Sequence, residues 1–435
     1  MEITLTKDAR PAGPETDSSR RPVKPRVAVL FQRFGPYHRA RLDAAGRLMQ
    51  ISGVEACGME DTYAWDKVEG AGSFDRITLT EREQEGRAWK WELHQKMWRA
   101  LDRVQPHAVA IPGWSFTDAL SALAWCAHMG TPAVVMSEST EWDERRTPWK
   151  EWVKRRLVGM CSAALAGGSA HADYLTALGM ERGRIFLGYD AVDNDYFASK
   201  AGEVRAADIA MRNKQGLPGR YFLASARFVE KKNLRRLIEA YARYRTLAMD
   251  SPSAAPWSLA LLGDGPLRSA LISQVANSGL NDYVRLPGFK QYAELPVYYG
   301  LASAFVHAST TEQWGLVVNE AMASGLPVLV SNRCGCARDL VSEGVNGFTF
   351  DPQNTGQLAG LMFRLSHGGE PVPESPNLSD VSLAAMGRAS QKIVADWGPE
   401  RFAGGMYDAV EMALKSPRPP ASLLDRWLLR LLLVR

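Results

Sequence analysis

The chain has 435 residues, of which 46% are hydrophobic and 23% charged, a composition typical of a globular protein with two or three domains. Its formal net charge of +4 is too small to indicate a nucleic-acid partner. The sequence has no run of the roughly 18 apolar residues that a membrane-spanning helix needs, and it begins with polar residues, so we expect a cytoplasmic protein.

The first predicted domain begins after a polar segment. Residues 1–24 are rich in Pro, Ser and charged side chains, and we predict a disordered leader there. From Arg26 onward, short apolar runs alternate with helical segments. The strands predicted for this domain, 25–195, are 27–31, 108–111, 133–136, 163–166 and 185–187. This alternation indicates a parallel sheet covered by helices on both faces.

A second domain of the same kind follows. The alternation of apolar runs and helical segments is interrupted after 188 and resumes at 220. We assign 196–219 to a linker. The strands predicted for the second domain, 220–395, are 221–225, 258–262, 284–286, 304–307, 328–331 and 347–350. We predict an α/β fold class with two doubly wound parallel-sheet domains, whose strand carboxyl ends face a ligand-binding cleft.

The segment 305–331 carries the most informative pattern in the chain. It reads FVHASTTEQWGLVVNEAMASGLPVLVS, which predicts a strand, a polar loop with Glu312, a helix with Glu320, and a second strand. Gly315 lets a ligand approach the backbone closely, and the free N–H groups at the helix start, about 316–318, suit a phosphate. Carboxylates on either side accept hydrogen bonds from hydroxyl groups. The pattern therefore fits a sugar nucleotide, whereas by spacing alone the two glutamates are also compatible with solvated surface charges.

This segment resembles the E-x7-E motif of family 4 retaining glycosyltransferases, which have the GT-B architecture of two Rossmann-like domains. Glu312 and Glu320 match the acidic positions, and Trp314-Gly315-Leu316 matches the aromatic-Gly-aliphatic step between them. The resemblance implies that Glu312 holds the hydroxyls of the transferred sugar and that Glu320 holds the ribose. It also implies that the phosphate lies on the backbone at Gly315 and Leu316, with Trp314 and Val317 beside it.

Other donor-side segments resemble the same family. Ser225 to Asn233 resembles its strand–Arg–x4–Lys loop, which makes Arg227 and Lys232 the pair that stabilises the departing diphosphate. The turn at 261–266 resembles the family's G-x-G-P turn, and position 268 is Arg, so the third glycine of a dinucleotide fingerprint is missing. The strand and turn ending in Gly288 and Phe289 resemble those beside the nucleotide base.

The first domain matches the family less closely. Gly35 lies where the family's glycine-containing loop faces donor and acceptor, and Tyr37 and His38 are candidates for the acceptor side. An ordinary role at a helix start is the alternative for His38. The family often carries a His after a later strand, where this chain has Glu138. A carboxylate there would orient the acceptor hydroxyl or accept its proton.

Neither a metal nor a cofactor is predicted. Asp193-Asn194-Asp195 is formally a D-x-D motif, but it lies in the interdomain segment, and we interpret it as structural. The five cysteines lack paired CxxC spacing, so a disulfide framework or zinc site is not indicated. For Cys334-Gly-Cys336 a redox role and a small-residue turn are the two interpretations.

Two segments suggest attachment to a membrane surface. Residues 141–158 combine three tryptophans with six cations in a predicted basic aromatic helix. The tail 416–435 likewise combines Trp427 with leucines and arginines. Such helices suit anionic lipid surfaces, although tryptophans packed into the core are the alternative. Between the second domain and the tail, the helix predicted at 396–415 resembles the family's final helix, which packs back on the first domain.

The sequence therefore predicts a retaining hexosyltransferase of GT-B fold that uses a nucleoside-diphosphate sugar without a metal. We expect its acceptor to be a saccharide, lipid-linked, in envelope polysaccharide or lipopolysaccharide assembly, and the enzyme to attach peripherally to the inner face of the plasma membrane. By resemblance, transfer uses front-face attack without a protein nucleophile. Two alternatives stay open: a sugar-nucleotide 2-epimerase of the same architecture, and a non-catalytic GT-B scaffold.

Overall fold

A computed structural model describes residues 24–59, 72–82, 86–249, 255–367, 382–417 and 420–434. Of the predicted leader, 1–24, only Lys24 lies within the described residues. In the first domain the strands are β1 (Arg26–Phe31), β2 (Gln50–Met59), β3 (Asp75–Arg82), β4 (Ala108–Pro112), β5 (Ala133–Ser137), β6 (Ala163–Ala166) and β7 (Ile185–Leu187). The helices between them are α1 (Pro36–Gly46), α2 (Arg87–Val104), α3 (Thr117–Met129), α4 (Pro148–Gly159) and α5 (Ser169–Ala177).

The strands of the first domain form one parallel sheet in the order β3-β2-β1-β4-β5-β6-β7. In β1, alternate side chains point to opposite faces. Ala28 and Leu30 pack with α2 and α3, whereas Val27 and Val29 pack on the other face with α1 and with a helix from the end of the chain. Both faces of the sheet are therefore buried, which explains why most of its strands are continuous apolar runs.

Two helices connect the domains, α6 (Asn194–Ala206) and α7 (Asp208–Gln215), so most of the segment assigned to a linker is helical. The second-domain strands are β8 (Tyr221–Ser225), β9 (Ser258–Leu262), β10 (Val284–Gly288), β11 (Ala304–His307), β12 (Val328–Ser331) and β13 (Gly347–Phe350). Its helices are α8 (Leu234–Met249), α9 (Arg268–Asn277), α10 (Leu295–Leu301), α11 (Leu316–Ala323), α12 (Ala337–Leu340), α13 (Thr355–Ser366) and α14 (Leu383–Ala395).

The second sheet is parallel as well, with the order β10-β9-β8-β11-β12-β13. One face packs against α8, α9 and α13, and the other against α6, α10 and α11. In each sheet the first strand of the domain lies inside the sheet, and the chain winds outward from it in both directions. This is the doubly wound topology, and the predicted fold class is confirmed.

Two helices end the chain, α15 (Pro399–Lys415) and α16 (Leu423–Val434). The helix α15 returns to the first domain and buries Phe402, Met406 and Val410 against the sheet face that also holds α1. The helix α16 packs on α3 of the first domain through the buried Leu428 and Leu429. No helix among the described residues combines the length and the apolar character needed to cross a membrane.

Candidate active site

A cavity of about 290 Å³ lies between the two domains, at the carboxyl ends of strands from both sheets. It brings together most of the site residues predicted from the sequence. Those that line it are Tyr37, Glu138, Arg227, Lys232, Phe289, Glu312, Trp314, Gly315, Leu316, Val317 and Glu320. Gly35, His38 and Gly288 are not among its lining residues. The position agrees with the rule that ligands bind at the carboxyl edge of doubly wound sheets.

Glu312 is held in the cavity by three polar side chains. Its Oε2 forms an ion pair with Lys232, and it lies 3.2 Å from His307 Nε2 and 3.3 Å from Ser309 Oγ. Burial alone would raise the pKa of Glu312, but hydrogen bonding to His307 and the charge of Lys232 outweigh it, so the pKa lies well below its usual range. Glu312 is therefore a fixed carboxylate, suited to accept hydrogen bonds from a ligand.

The loop that carries Glu312 is fixed by the turn after β12. The N–H of Glu312 donates to the Arg333 carbonyl oxygen at 3.2 Å, and the N–H of Gly335 donates to the Glu312 carbonyl oxygen at 3.1 Å. A side chain at Gly335 would collide with the Gln313 carbonyl group and with the ring of His171. Cys334 and Cys336 on either side are buried and unpaired. The Cys-Gly-Cys segment is thus a close-packed turn that supports the loop.

The start of α11 offers fewer free N–H groups than the sequence predicts. Gly315 adopts φ +103°, a conformation that glycine takes without strain, and it precedes the first residue of the helix. The N–H of Val318 donates to the Gly315 carbonyl oxygen at 2.8 Å, so it is already occupied. The expectation that 316–318 all offer free N–H groups is corrected to Leu316 and Val317. Trp314 is 1% exposed and donates from Nε1 to Asn319 Oδ1 at 2.8 Å, which fixes the entry to the helix.

Glu320 lies one turn into α11 and is almost completely buried. Tyr299 donates to its Oε2 at 2.6 Å, and Tyr37 of the first domain donates to its Oε1. Burial raises the pKa of Glu320 to about 7 even though both hydroxyl groups favour the charged form. The carboxyl group therefore titrates near neutral pH, and it is held by hydroxyl donors of the kind that a ribose would offer.

The donor-side loop after β8 depends on two glycines. A Cβ at Gly263, φ +127°, would strike the Ala226 carbonyl oxygen, and one at Gly265, φ +150°, would lie 2.8 Å from that of Phe228. These glycines let the β8 and β9 loops pack closely, which places Arg227 and Lys232 at the cavity. Gly288, φ +85°, accepts from the Gly263 N–H at 3.0 Å and precedes the exposed Phe289. Gly288 therefore shapes the turn, and Phe289 offers its ring to the cavity.

A second pair of carboxyl groups lies on the first-domain side. Glu138 follows β5, and its carboxyl group lies within hydrogen-bond reach of Asp190, which is buried. Arg41 Nη2 is 3.7 Å from Asp190 Oδ1. Burial raises the pKa of Glu138; burial and the charge of Glu138 raise that of Asp190 well above its usual range. Burial and the neighbouring carboxyl group thus both favour the protonated form of Asp190, and Arg41 opposes them.

Glu138 also borders a smaller cavity of about 180 Å³. Aromatic and polar side chains of the first domain line this cavity, among them Trp114, Phe116 and Ser139, together with Gln313 of the second domain. Glu138 and Gln313 line both cavities, so a carboxyl group stands at the junction of the two. The arrangement provides a second compartment beside the predicted donor site.

The remaining predicted residues have structural contacts. His38 Nδ1 accepts from the Gly35 N–H at 2.9 Å and so caps the start of α1, while its ring lies 4.3 Å from that of Phe31. Burial, with the nearby charge of Arg41, lowers the pKa of His38 to about 3, so the ring is neutral. Asp193 of the D-x-D sequence accepts from the Tyr196 N–H at 2.9 Å and caps α6. In the described parts of the chain, no cluster of three or more His, Cys, Asp or Glu side chains could hold a metal ion.

The basic aromatic helix is shorter than predicted. It begins at Pro148 rather than near 141, because Pro takes the first helical position and Arg146 binds back to Asp143 and the Thr140 carbonyl oxygen. Trp142 lies before the helix and donates to the Arg333 carbonyl oxygen of the second domain at 3.2 Å. Trp149 and Trp152 stack 5.0 Å apart and are exposed.

Several contacts in the site come from residues that the sequence analysis does not select. Tyr299 and His307 contact Glu320 and Glu312 within the second domain. Asp190 lies beside Glu138 in the first domain, with Arg41 next to it. His171 is a further case: its Nε2 lies 2.9 Å from the Gln313 carbonyl oxygen across the domain boundary. Hydrophobic periodicity does not reveal such partners, because they are set by three-dimensional packing.

Residues 209–375 match the sequence profile of the family described as glycosyl transferases group 1. The match covers most of the second domain. The chain is 32% identical over 145 residues to alpha-monoglucosyldiacylglycerol synthase of Acholeplasma laidlawii, covering 33% of this chain and 34% of that protein. It is 28% identical over 250 residues to alpha-D-kanosaminyltransferase of Streptomyces kanamyceticus, covering 54% of this chain and 62% of that protein. The chain thus spans between a third and three fifths of the length of these curated relatives.

The solved structure of Anabaena Alr3699/HepE in complex with UDP and glucose is similar to the whole described fold. Its TM-score is 0.62 at 18% identity, with 88% of this chain and 98% of that chain covered. At this identity the likeness shows the fold alone. It shows the GT-B architecture of two Rossmann-like domains, as the sequence motifs implied.

Proposed function

We propose that this protein is a retaining hexosyltransferase that moves a sugar from a nucleoside diphosphate to a saccharide acceptor. The observation that carries the proposal is the single cavity in which the Glu312–Lys232 pair, Arg227 and the start of α11 surround Glu320. Cations and helix N–H groups suit a diphosphate, and fixed carboxylates suit hydroxyl groups. The similar structure of HepE in complex with UDP and glucose supports a donor of this chemistry.

In the proposed reaction the bond between the sugar C1 and the diphosphate oxygen breaks, and its electron pair goes to the diphosphate. Arg227, Lys232 and the N–H groups of Leu316 and Val317 stabilise that charge without a metal. The acceptor oxygen forms the new bond to C1 on the face that the diphosphate leaves. Its proton passes to the departing phosphate or to Glu138, whose pKa is raised by burial.

The acceptor is proposed to occupy the smaller cavity beyond Glu138. Its lining by Trp114 and Phe116 suits the apolar face of a sugar ring, and Ser139 and Gln313 offer hydrogen bonds. We propose a lipid-linked saccharide acceptor and peripheral attachment to an anionic membrane. The exposed, stacked side chains of Trp149 and Trp152 support the attachment, because such rings suit the membrane interface. The similarity to alpha-monoglucosyldiacylglycerol synthase, whose name refers to a lipid, supports it as well.

A transfer assay tests the proposal. Purified protein is incubated with UDP- and GDP-sugars and with lipid-linked saccharides in the presence of EDTA, and the released diphosphate and the anomeric configuration of the product are measured. We expect acceptor-dependent release and retained configuration, abolished in Glu312→Gln and preserved in the control Glu239→Gln, an exposed residue of α8. Interconversion of sugar nucleotides without an acceptor would identify an epimerase instead, and absence of any nucleotide binding would favour the scaffold.

A further inference from the structure

A second large cavity lies on the first domain, away from the candidate active site. It has a volume of about 600 Å³ and is formed by α2, α3 and the C-terminal helix α16. It shares no lining residue with the cavity between the domains. A volume of this size is within the range of small-molecule pockets, roughly 300–1,000 Å³. The cavity is therefore large enough for a ligand, and the transfer reaction does not use it.

The walls of the cavity follow from the helical repeat of the three segments. On α2, Trp91, His94 and Trp98 recur at spacings of three and four residues and so share one face. Leu429 and Leu433 of α16 close the opposite side, and the small Ala127 of α3 leaves the space between them. The walls are therefore predominantly apolar, and the ring of His94 lies 5.3 Å from those of both Trp91 and Trp98.

Apart from His94 and His128, the polar side chains at the cavity are cations or N–H donors. Lys90, Arg426 and Arg430 line it, and its described lining includes no acidic side chain. Trp98 Nε1 is buried and has no hydrogen-bond acceptor among the described residues. An apolar chamber that contains an unused N–H donor and is bordered by three cations is complementary to a molecule with a long apolar part, an acceptor group and a negative charge.

The helix α16 is held over the cavity by specific contacts. Asp425 forms an ion pair with Arg156 of α4 at 2.6 Å and accepts from the Ser422 N–H at 3.0 Å and from Ser422 Oγ at 2.6 Å. The outer face of the same helix leaves Leu423 and Trp427 exposed by 87% and 58%. One helix thus offers apolar side chains to the outside and closes an apolar cavity on its inner side.

We infer that this cavity binds the hydrocarbon chain of an anionic membrane lipid, with the lipid phosphate at Lys90, Arg426 and Arg430. The inference rests on the proposed membrane attachment and not on the proposed transfer reaction. The charge of the rim selects an anionic lipid over a neutral one, and the apolar depth selects a lipid over a free phosphate or a soluble anion. The exposed leucines and tryptophan of α16 suit contact with the membrane from which such a lipid would come.

Photolabelling of the full chain tests the inference. The probe is phosphatidylglycerol with a diazirine at the end of one acyl chain, in vesicles of phosphatidylglycerol and phosphatidylethanolamine, and labelled peptides are located by mass spectrometry. We expect labels on 90–98, 124–128 and 429–433. Ala127→Trp, which fills the cavity, should lose most of this labelling. The control Ala88→Trp, at an exposed position of α2 outside the lining, should retain it.

A second variant does not alter the packed interior. The double substitution Arg426→Gln and Arg430→Gln affects exposed side chains, and it should reduce labelling by phosphatidylglycerol to the level given by a phosphatidylcholine probe. Labels confined to Trp149, Trp152, Leu423 and Trp427 would overturn the inference, since they would show adsorption at the surface only. A solution dimer that Ala127→Trp dissociates would also overturn it, because a second copy would then cover the cavity.

Nucleotide binding by the wild-type protein is measured on the same preparation. Labelling of the cavity without any nucleotide binding would refute the proposed transferase and leave the lipid site standing. Nucleotide-dependent transfer without labelling of the cavity would refute the lipid site and support the proposed transferase.

Discussion

Replacing Glu320 by Gln should change how the stability of the protein depends on pH. Burial raises the pKa of this carboxyl group from 4.5 to about 7 in the folded chain. Each pH unit of such a difference corresponds to about 1.4 kcal/mol, so the folded protein loses about 3 kcal/mol of stability from this group between pH 4.5 and 7. The direction follows from proton binding: the folded state holds the proton more tightly than the unfolded state, so this contribution is present at low pH and is lost as pH rises.

The assay is denaturant unfolding of wild type and Glu320→Gln at a series of pH values from 4.5 to 8. Glutamine does not titrate, so the free energy of unfolding of wild type should fall relative to that of the variant by about 1.4 kcal/mol per pH unit between the two pKa values, 4.5 and about 7, and level off above them. The altered hydrogen bonds to Tyr37 and Tyr299 change the free energy of unfolding of the variant by a constant amount. Such a change does not affect how that free energy varies with pH. Equal slopes for the two proteins would refute the reasoning, since they would show that Glu320 is not buried between these hydroxyl groups.

Three further outcomes are expected at the site. Lys232→Met should lower the free energy of unfolding by about 3 kcal/mol, because it leaves the buried Glu312 without its cation; unchanged unfolding in denaturant would contradict the ion pair. Tyr37→Phe should strengthen UDP binding by up to about tenfold in calorimetry, because the hydroxyl that the ribose replaces at Glu320 is gone; weaker binding would show instead that Tyr37 contacts the donor. Glu138→Gln should reduce transfer by about 10² or more while UDP affinity stays the same, and full activity would remove Glu138 from the reaction.

The sequence predicts the strands at the centre of each sheet well and the edge of the first sheet poorly. Strands such as β6 and β11 are short apolar runs between helices, and their bounds agree with the prediction because both faces are buried. Two strands, β2 and β3, were missed. β3 lies at the sheet edge and exposes charged residues at both ends, and β2 contains Gly53 and Gly58, which weaken the strand pattern.

For the site, the sequence predicts which residues of the second domain share a loop, but not which side chains complete it. Glu312, Gly315 and Glu320 lie within nine residues of one another, so local spacing is enough to bring them together. Tyr37 reaches Glu320 from 283 positions away, and Asp190 reaches Glu138 through the packing of β5 beside the interdomain segment. The first pair depends on how the two domains dock and the second on how the strands of the first domain pack, and no local pattern of the sequence encodes either.

The central claim is that the cavity between the domains binds a nucleoside diphosphate through its own side chains. A thermal-shift panel of UDP, GDP, ADP and dTDP in EDTA tests it most directly, because a ligand at a hundred times its dissociation constant stabilises the folded state by roughly 2.7 kcal/mol. We predict one clear responder in wild type and no response to that nucleotide in Glu320→Ala. Silence from all four nucleotides, or an equal response in the variant, would contradict the account.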